Sequence, residues 1–115
     1  MPRYRVVFHI DEGTKSRCVM VLNNMRNLLA ELGADAEVQL VANGEGVLML
    51  LQKPSLCGEQ VKSLMAQGVS FVTCAHSLQA LGIDADTLLE GVKIVPSGVV
   101  ELVRRQATGW AYIRP

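Results

Sequence analysis

Residues 68–83 have the sequence G-V-S-F-V-T-C-A-H-S-L-Q-A-L-G-I, which contains the clearest change of secondary-structure type in the chain. Residues 69–73 are mostly apolar, and such a run predicts a strand that is buried on both faces. Cys74 follows directly, and residues 74–81 predict one or two helical turns that end at Gly82. A buried strand that passes straight into a helix indicates a parallel sheet covered by helices.

The same alternation occurs upstream. Residues 4–10 predict a buried strand, and Thr14 is placed to cap a helix that ends at Gly33. The apolar residues of this helix recur with helical spacing and predict its buried face: Cys18, Val21, Leu22, Met25, Leu28, Leu29 and Leu32. Residues 37–42 predict a second strand, which the dipeptide Asn43-Gly44 ends.

Two helices are predicted between the second and third strands. Residues 47–51 predict a short helix that stops before Pro54. Ser55 is placed to cap a longer helix that ends at Gly68. The inner face of that longer helix is predicted to consist of Cys57, Val61, Leu64 and Met65.

Further elements are predicted after residue 83. Residues 84–90 predict a short helix, and residues 92–95 predict the fourth strand. Pro96 and Ser97 start a helix that ends at Gly109. Its inner face is predicted to contain Val99, Val100 and Val103, and its outer face Arg104 and Arg105. Residues 110–113 predict a terminal fifth strand.

This order of elements predicts a single domain over residues 1–115 with an α/β fold. Strands that alternate with helices at short spacing form right-handed crossovers, which give a three-layer α/β/α arrangement with a mostly parallel sheet of four or five strands. The ligand crevice of such a sheet lies beyond the carboxyl ends of its strands. The residues expected there are Asp11, Glu12, Asn43, Gly44, residues 74–76 and residues 96–98.

The composition excludes several classes of protein. Half of the residues are hydrophobic and 19% are charged, which excludes a disordered tail or a coiled coil. The formal net charge is zero and only 4% of the residues are aromatic, so neither a nucleic-acid partner nor an anionic membrane is expected. The mean hydropathy of +0.26 exceeds what a small monomer hides, so we expect a homo-oligomer, with residues 47–51 among its contacts.

The start of the chain and the cysteines indicate a cytoplasmic protein. The apolar run after Arg5 is too short for a signal peptide or a membrane span. The three cysteines are odd in number and form no C-x-x-C pair, which is typical of free thiols in a reducing compartment. Cys18 and Cys57 lie on apolar helical stripes and are expected in the core.

Cys74 is the strongest candidate for chemistry. It follows a buried strand and starts a helix, where backbone amides stabilise a thiolate and favour nucleophilic reactions. The alternative is that Cys74 only fills space in the core. His76 is a candidate to donate a hydrogen bond to the thiolate or to transfer a proton. The alternative is that His76 is a surface residue without a role in the site. His9 is expected to be a hydrogen-bonded histidine in the core rather than a ligand.

Other sites are predicted less directly. Helix-terminal and loop amides at Asn43, Gly44, Ser97 and Gly98 are candidates to bind a small anion. The segment N-G-E-G lacks the lysine of a P-loop and the glycine spacing of a dinucleotide site. Cys74 and His76 have no second cluster at metal-ligand spacing, so neither a metal nor a cofactor is expected.

Four segments carry a resemblance to a known family. Residues 41–47 (V-A-N-G-E-G-V), 68–83, 92–102 (V-K-I-V-P-S-G-V-V-E-L) and 106–115 (Q-A-T-G-W-A-Y-I-R-P) resemble the DsrE/DsrF-like proteins, in particular their stand-alone branch. The resemblance implies a compact α/β/α fold and a homotrimer or homohexamer. In the sulfur-oxidation and tRNA-thiolation branches it also implies a cysteine that carries sulfane sulfur as a persulfide. Cys74 falls on the matching position.

Two functions of different classes follow. In the first, the protein is a sulfur carrier or sulfurtransferase that holds sulfane sulfur on Cys74 and exchanges it with donor and acceptor proteins. In the second, the protein is a non-enzymatic oligomeric subunit in which Cys74 is structural and the crevice binds a small anion. The sequence leaves both open, and the reactivity of Cys74 at different pH values separates them.

Overall fold

A computed structural model describes residues 2–115, which form five strands in one fully parallel sheet. The strands are β1 (Tyr4–Ile10), β2 (Ala36–Ala42), β3 (Ser70–Cys74), β4 (Lys93–Val95) and β5 (Ala111–Ile113). Their order across the sheet is β4-β3-β2-β1-β5. The helices are α1 (Lys15–Leu32), α2 (Gly58–Ala66), α3 (Ala75–Leu81) and α4 (Gly98–Ala107), with 3-10 segments at Gly33–Asp35, Gly44–Leu50 and Ala85–Thr87.

The helices cover both faces of the sheet, which confirms the three-layer α/β/α prediction. Alternate side chains of β1 point to opposite faces. Val6 and Phe8 belong to the larger core, which also contains residues of α1, α2 and α3. Val7 belongs to a smaller core on the other face, where it packs with Leu102 of α4 and with Trp110. We call this second side of the sheet, covered by α4, the α4 face.

The predicted ends of α1 are confirmed. The Thr14 hydroxyl accepts a hydrogen bond from the Arg17 amide at 3.2 Å, which satisfies one of the free amides at the start of the helix. Gly33 ends the helix with a φ of +55°, which a residue with a β-carbon rarely adopts. Within residues 2–115 no helix has both the length and the apolarity that crossing a bilayer requires.

Two connecting segments differ from the predictions. Residues 47–51 were expected to form a short helix and an oligomer contact, but they belong mostly to the 3-10 segment Gly44–Leu50 and are largely buried in the domain. Val47, Met49 and Leu50 have no exposed surface, so their apolarity is explained by the core of a single copy. Residues 84–90 form only one 3-10 turn, because Leu88 and Leu89 turn into the same core, with Leu88 bridged to Leu51.

The prediction for α4 was wrong about which side faces the sheet. Val99, Val100 and Val103 were expected inside, but they are 45–59% exposed. The inner side instead carries Gly98 and Leu102, which are buried against the sheet. The polar residues beside Leu102 also face inwards: Gln39 of β2 donates to the Glu101 carboxylate at 3.0 Å, and Arg105 donates to the same oxygen at 3.1 Å. A partly buried polar network has therefore replaced the apolar contact that the valines suggested.

Candidate functional site

The carboxyl ends of β2 and β3 bring Cys74 and Asn43 together on the α4 face. Cys74 is the last residue of β3 and the N-cap of α3, as predicted. Asn43 follows β2 at the neighbouring position, since Ala42 pairs with Thr73. The Cys74 side chain is only 5% exposed, because the start of α4 lies over it.

Gly98 allows α4 to approach this edge of the sheet closely. A β-carbon at position 98 would lie 3.2 Å from the β-carbons of both Asn43 and Cys74, and 3.4 Å from a methyl group of Val41. The two distances of 3.2 Å are shorter than nine in ten real contacts of a β-carbon. The absence of a side chain thus places the Gly98 amide near the sulfur. Sequence reasoning had selected Gly98 for its amide, and the structure adds this steric reason.

Ser77 is the residue of this site that sequence reasoning missed. Its hydroxyl oxygen accepts a hydrogen bond from the Gly44 amide at 2.7 Å, so its proton is free to be donated elsewhere. That donation favours the anionic form of Cys74. The signal was the spacing, because Ser77 is the third residue after the N-cap and side chains at that position reach back towards the cap.

The surroundings of Cys74 lower the pKa of its thiol below the ordinary value. Burial is the largest single influence and raises the pKa, because it disfavours the charged form. Hydrogen bonds from the Ser77 hydroxyl and from the amides of Gly98, Ser77 and His76 together outweigh it. The Cys74 sulfur does not make a standard capping hydrogen bond to the first turn of α3, so its contacts with these amides are looser than such a bond. Cys74 is therefore nearly buried but surrounded by donors.

His76 contributes its backbone to this site. Its amide is among the groups that lower the pKa of Cys74. Its side chain is exposed and makes no hydrogen bond within residues 2–115. The proton-transfer role suggested for His76 stays a prediction.

The other predicted anion-binding residues lie close by, but some of their polar groups are occupied. The Gly44 amide is bonded to Ser77, as described above. The Ser97 hydroxyl accepts from the Val100 amide at 3.3 Å and caps α4. Asn43 and Gly98 are the two residues of this group that flank Cys74 directly. That these residues bind an anion stays a prediction.

His9 lies on the same face, one strand further along the sheet. Its Nε2 atom is 2.7 Å from Oδ1 of Asn43, and its Nδ1 atom is 2.7 Å from the Tyr112 hydroxyl. Because Oδ1 of Asn43 only accepts, Nε2 is the donor of that hydrogen bond. Both nitrogens are bonded, as expected of a satisfied histidine, but the side chain is half-buried and does not lie in the core as predicted.

Cys18 and Cys57 are separate from this site. Both are buried in the larger core, as predicted. Burial, with a contribution from the adjacent Cys57, raises the pKa of the Cys18 thiol far above its ordinary value. Among residues 2–115, no three His, Cys, Asp or Glu side chains are grouped so as to hold a metal ion.

The pattern of the DsrE/DsrF-like family matches residues 5–115, which is nearly the whole chain. The chain belongs to this family. Its members are associated generally with sulfur relay. The comparison with curated proteins found no match.

Three solved structures of similar proteins support the DsrE-like fold. The protein of unknown function MTH1491 from Methanobacterium thermoautotrophicum is 49% identical, with a TM-score of 0.92 over 97% of this chain and 99% of that one. The YchN protein of Escherichia coli is 21% identical, with a TM-score of 0.78 over the whole of both chains. BT1422 from Bacteroides thetaiotaomicron, of unknown function, is 12% identical, with a TM-score of 0.72 over 96% of this chain and 94% of that one.

Proposed function

We propose that this protein is a sulfur carrier or sulfurtransferase that holds sulfane sulfur as a persulfide on Cys74. The observation that carries the proposal is the set of donors around the sulfur, which lowers the pKa of the thiol although the side chain is nearly buried. A cysteine that only filled space in an apolar core would have a raised pKa, as Cys18 has.

The chemistry is an exchange of one sulfur atom between thiols. The Cys74 thiolate attacks the outer sulfur of a donor persulfide, a new S–S bond forms on Cys74, and the S–S bond of the donor breaks. The donor leaves as a thiolate and takes up a proton from solvent. An acceptor thiolate then attacks the outer sulfur of the Cys74 persulfide and restores the Cys74 thiolate. No net oxidation occurs, and no cofactor is required.

The surrounding residues stabilise the anions in both steps. The Ser77 hydroxyl and the Gly98 amide donate towards the thiolate before it reacts. The same donors favour the departure of the Cys74 thiolate when the acceptor attacks, since a lower pKa makes a better leaving group. The imidazole of His76 is exposed, so its loss is expected to slow sulfur uptake only modestly.

The experiment is intact-mass analysis after incubation with polysulfide. The wild-type protein is expected to gain sulfur, and the Cys74→Ser variant is expected to gain none while keeping its circular dichroism spectrum. Cys57→Ala is the matched control. Cys57 is only 2% exposed in the larger core, so this variant is expected to take up sulfur as the wild type does. Uptake that persists in Cys74→Ser, or no uptake by the wild type, would reject the carrier function.

A second candidate is a non-enzymatic oligomeric subunit that binds a small anion and in which Cys74 is structural. The low exposure of Cys74 favours this alternative, because a sulfur donor needs access to the thiol. The alkylation rate of Cys74 separates the two functions. A carrier gives a rate that rises with pH around a midpoint below the ordinary thiol pKa, whereas a structural cysteine reacts slowly throughout.

We also propose that the protein is a homo-oligomer, a trimer or a hexamer, that contacts a second copy through the outer side of α4. Val99, Val100 and Val103 are 45–59% exposed there. Residues 47–51 are buried in the core, so they offer no such contact. The three valines are the most exposed apolar group on one helix, and they fit the high mean hydropathy of the chain. Light scattering at micromolar concentration tests the proposal, and a monomer would contradict it.

The proposed environment is the cytoplasm. All three cysteines have free thiols, and a carrier thiol must stay reduced between reactions. Fractionation of cells that express the protein, followed by detection in each fraction, tests this assignment. Recovery from the membrane or extracellular fraction would contradict it.

A further inference from the structure

The order in which the chain adds strands to the sheet reverses between β1 and β5. The chain places β2, β3 and β4 successively on one side of β1, and then returns across α4 to place β5 on the other side. As a result α1 leaves β1 on one face of the sheet, while α4 enters β5 from the opposite face. The carboxyl ends of β1 and β5 are therefore the topological switch point, where open α/β sheets bind their ligands.

A cavity of about 230 Å³ lies at this point and is separate from Cys74, which ends β3 two strands away. It is lined by His9, Ile10, Asp11, Glu12, Arg17, Arg114 and Pro115. We call it the switch-point cavity. Its volume is below the range of about 300–1,000 Å³ for sites that enclose drug-sized ligands, so it suits a molecule of a few heavy atoms.

The charged side chains of the switch-point cavity form two ion pairs. Arg17 donates from Nε to the Glu12 carboxylate at 2.7 Å, and Arg114 donates from Nη2 to the Asp11 carboxylate, 3.0 Å from its nearer oxygen. A guanidinium has five donor hydrogens, and each carboxylate accepts more than one hydrogen bond. Both pairs thus keep donors and acceptors for a ligand.

These pairs are positioned to exchange partners with a ligand. The four side chains are 31–54% exposed, so each pair contributes little to stability in water. His9 also lines the cavity, but neither of its ring nitrogens is free for a ligand, because they are hydrogen-bonded to Asn43 and Tyr112. Among the side chains of the lining, two cations face two anions, so a ligand with one sign of charge would face repulsion from two of these groups.

We infer that the switch-point cavity binds a small α-amino acid in its zwitterionic form. The ligand carboxylate contacts the guanidinium groups of Arg17 and Arg114, and the ligand ammonium group contacts the carboxylates of Asp11 and Glu12. Arginine suits this role because its planar fork matches a carboxylate. The inference does not depend on the sulfur chemistry of Cys74.

The test uses L-serine, which resembles cysteine in size and cannot exchange sulfur with the protein. Two-dimensional amide NMR spectra are recorded during a titration of the full chain with L-serine, N-acetyl-L-serine or L-serinamide. L-Serine is expected to shift the amide signals of Asp11, Glu12, Arg17 and Arg114 with a Kd in the millimolar range or tighter. N-Acetyl-L-serine lacks the ammonium group and L-serinamide lacks the carboxylate, so both are expected to bind at least about fivefold more weakly.

Two variants locate the site. Arg114→Gln is expected to weaken L-serine binding about tenfold, because it removes a charge-assisted contact to the carboxylate. Arg104→Gln is the matched control, since Arg104 is an exposed arginine on α4 outside the cavity, and it is expected to leave the Kd unchanged. Cys74→Ser is also expected to leave it unchanged, which separates this site from the proposed carrier function.

The inference is overturned if L-serine causes no shifts at millimolar concentration, or if all three compounds bind equally. Equal shifts with sodium sulfate would also overturn it, because they would indicate a site for simple anions. If Arg114→Gln does not fold, Arg17→Gln replaces it, and the comparison of the three compounds on the wild-type protein decides the question by itself.

Discussion

Replacement of Ser77 by alanine isolates the donor that sequence reasoning missed. The hydroxyl links the Gly44 amide, at 2.7 Å, to the sulfur of Cys74 and is the strongest single influence that lowers the pKa of that thiol. Ser77→Ala removes this donor and leaves the backbone amides around Cys74 in place. The Gly44 amide is exposed, so water replaces the lost partner and the fold is expected to persist.

The size of the effect follows from the strength of such bonds. A hydrogen bond to a charged group contributes about 1.5–3 kcal/mol, and sulfur is a weak acceptor, so the lower end applies. About 1.4 kcal/mol corresponds to about a tenfold smaller thiolate fraction at neutral pH. The remaining thiolate is more basic and more nucleophilic, with a Brønsted coefficient of about 0.4–0.5, so the alkylation rate falls only about threefold.

The assay is the rate of alkylation of Cys74 by iodoacetamide as a function of pH, with the site of modification identified by mass spectrometry. Ser77→Ala is expected to react about threefold more slowly at neutral pH, to have a midpoint at higher pH, and to react about threefold faster at the alkaline plateau. Ser63→Ala is the control, because Ser63 is exposed on α2. A rate lowered by the same factor at every pH would indicate a change in access and would refute the reasoning.

Three further predictions concern α4 and the core. Gly98→Ala is expected to destabilise the fold by about 1–3 kcal/mol in urea denaturation, since the new methyl group meets Cys74 at 3.2 Å; an unchanged midpoint would contradict this contact. Burial raises the pKa of the Cys18 thiol, so the folded protein keeps this proton at alkaline pH, whereas the unfolded chain loses it. The free energy of unfolding is therefore expected to fall by up to about 1.4 kcal/mol per pH unit above about pH 9. Cys18→Ala is expected to show a shallower decline, and parallel curves would refute the assignment. Val103→Asp, at a position 59% exposed, is expected to reduce the mass measured by light scattering with little change in Tm, whereas an unaltered assembly would exclude this surface.

The sequence was sufficient for the elements whose signals are local. The apolar run of residues 4–10 predicted β1 with the bounds that the structure has, and Thr14 and Gly33 marked both ends of α1. The junction at Cys74 was predicted within one residue, because a buried strand and a capped turn are both determined by neighbouring side chains. From that junction the sequence also indicated the parallel sheet, and it marked Cys74 as the candidate for chemistry.

Only the tertiary structure decided which side of a helix packs against the sheet and which side chains are in contact. The valines of α4 have helical spacing that fits either an inner or an outer face, and the close approach at Gly98 turned them outwards. The hydrogen bond from the Gly44 amide to Ser77 and the row formed by His9, Asn43 and Tyr112 join residues that are distant in sequence. Hydrophobic periodicity records that a side chain is buried and not which partner buries it, so these contacts follow from packing and could not be predicted from the chain alone.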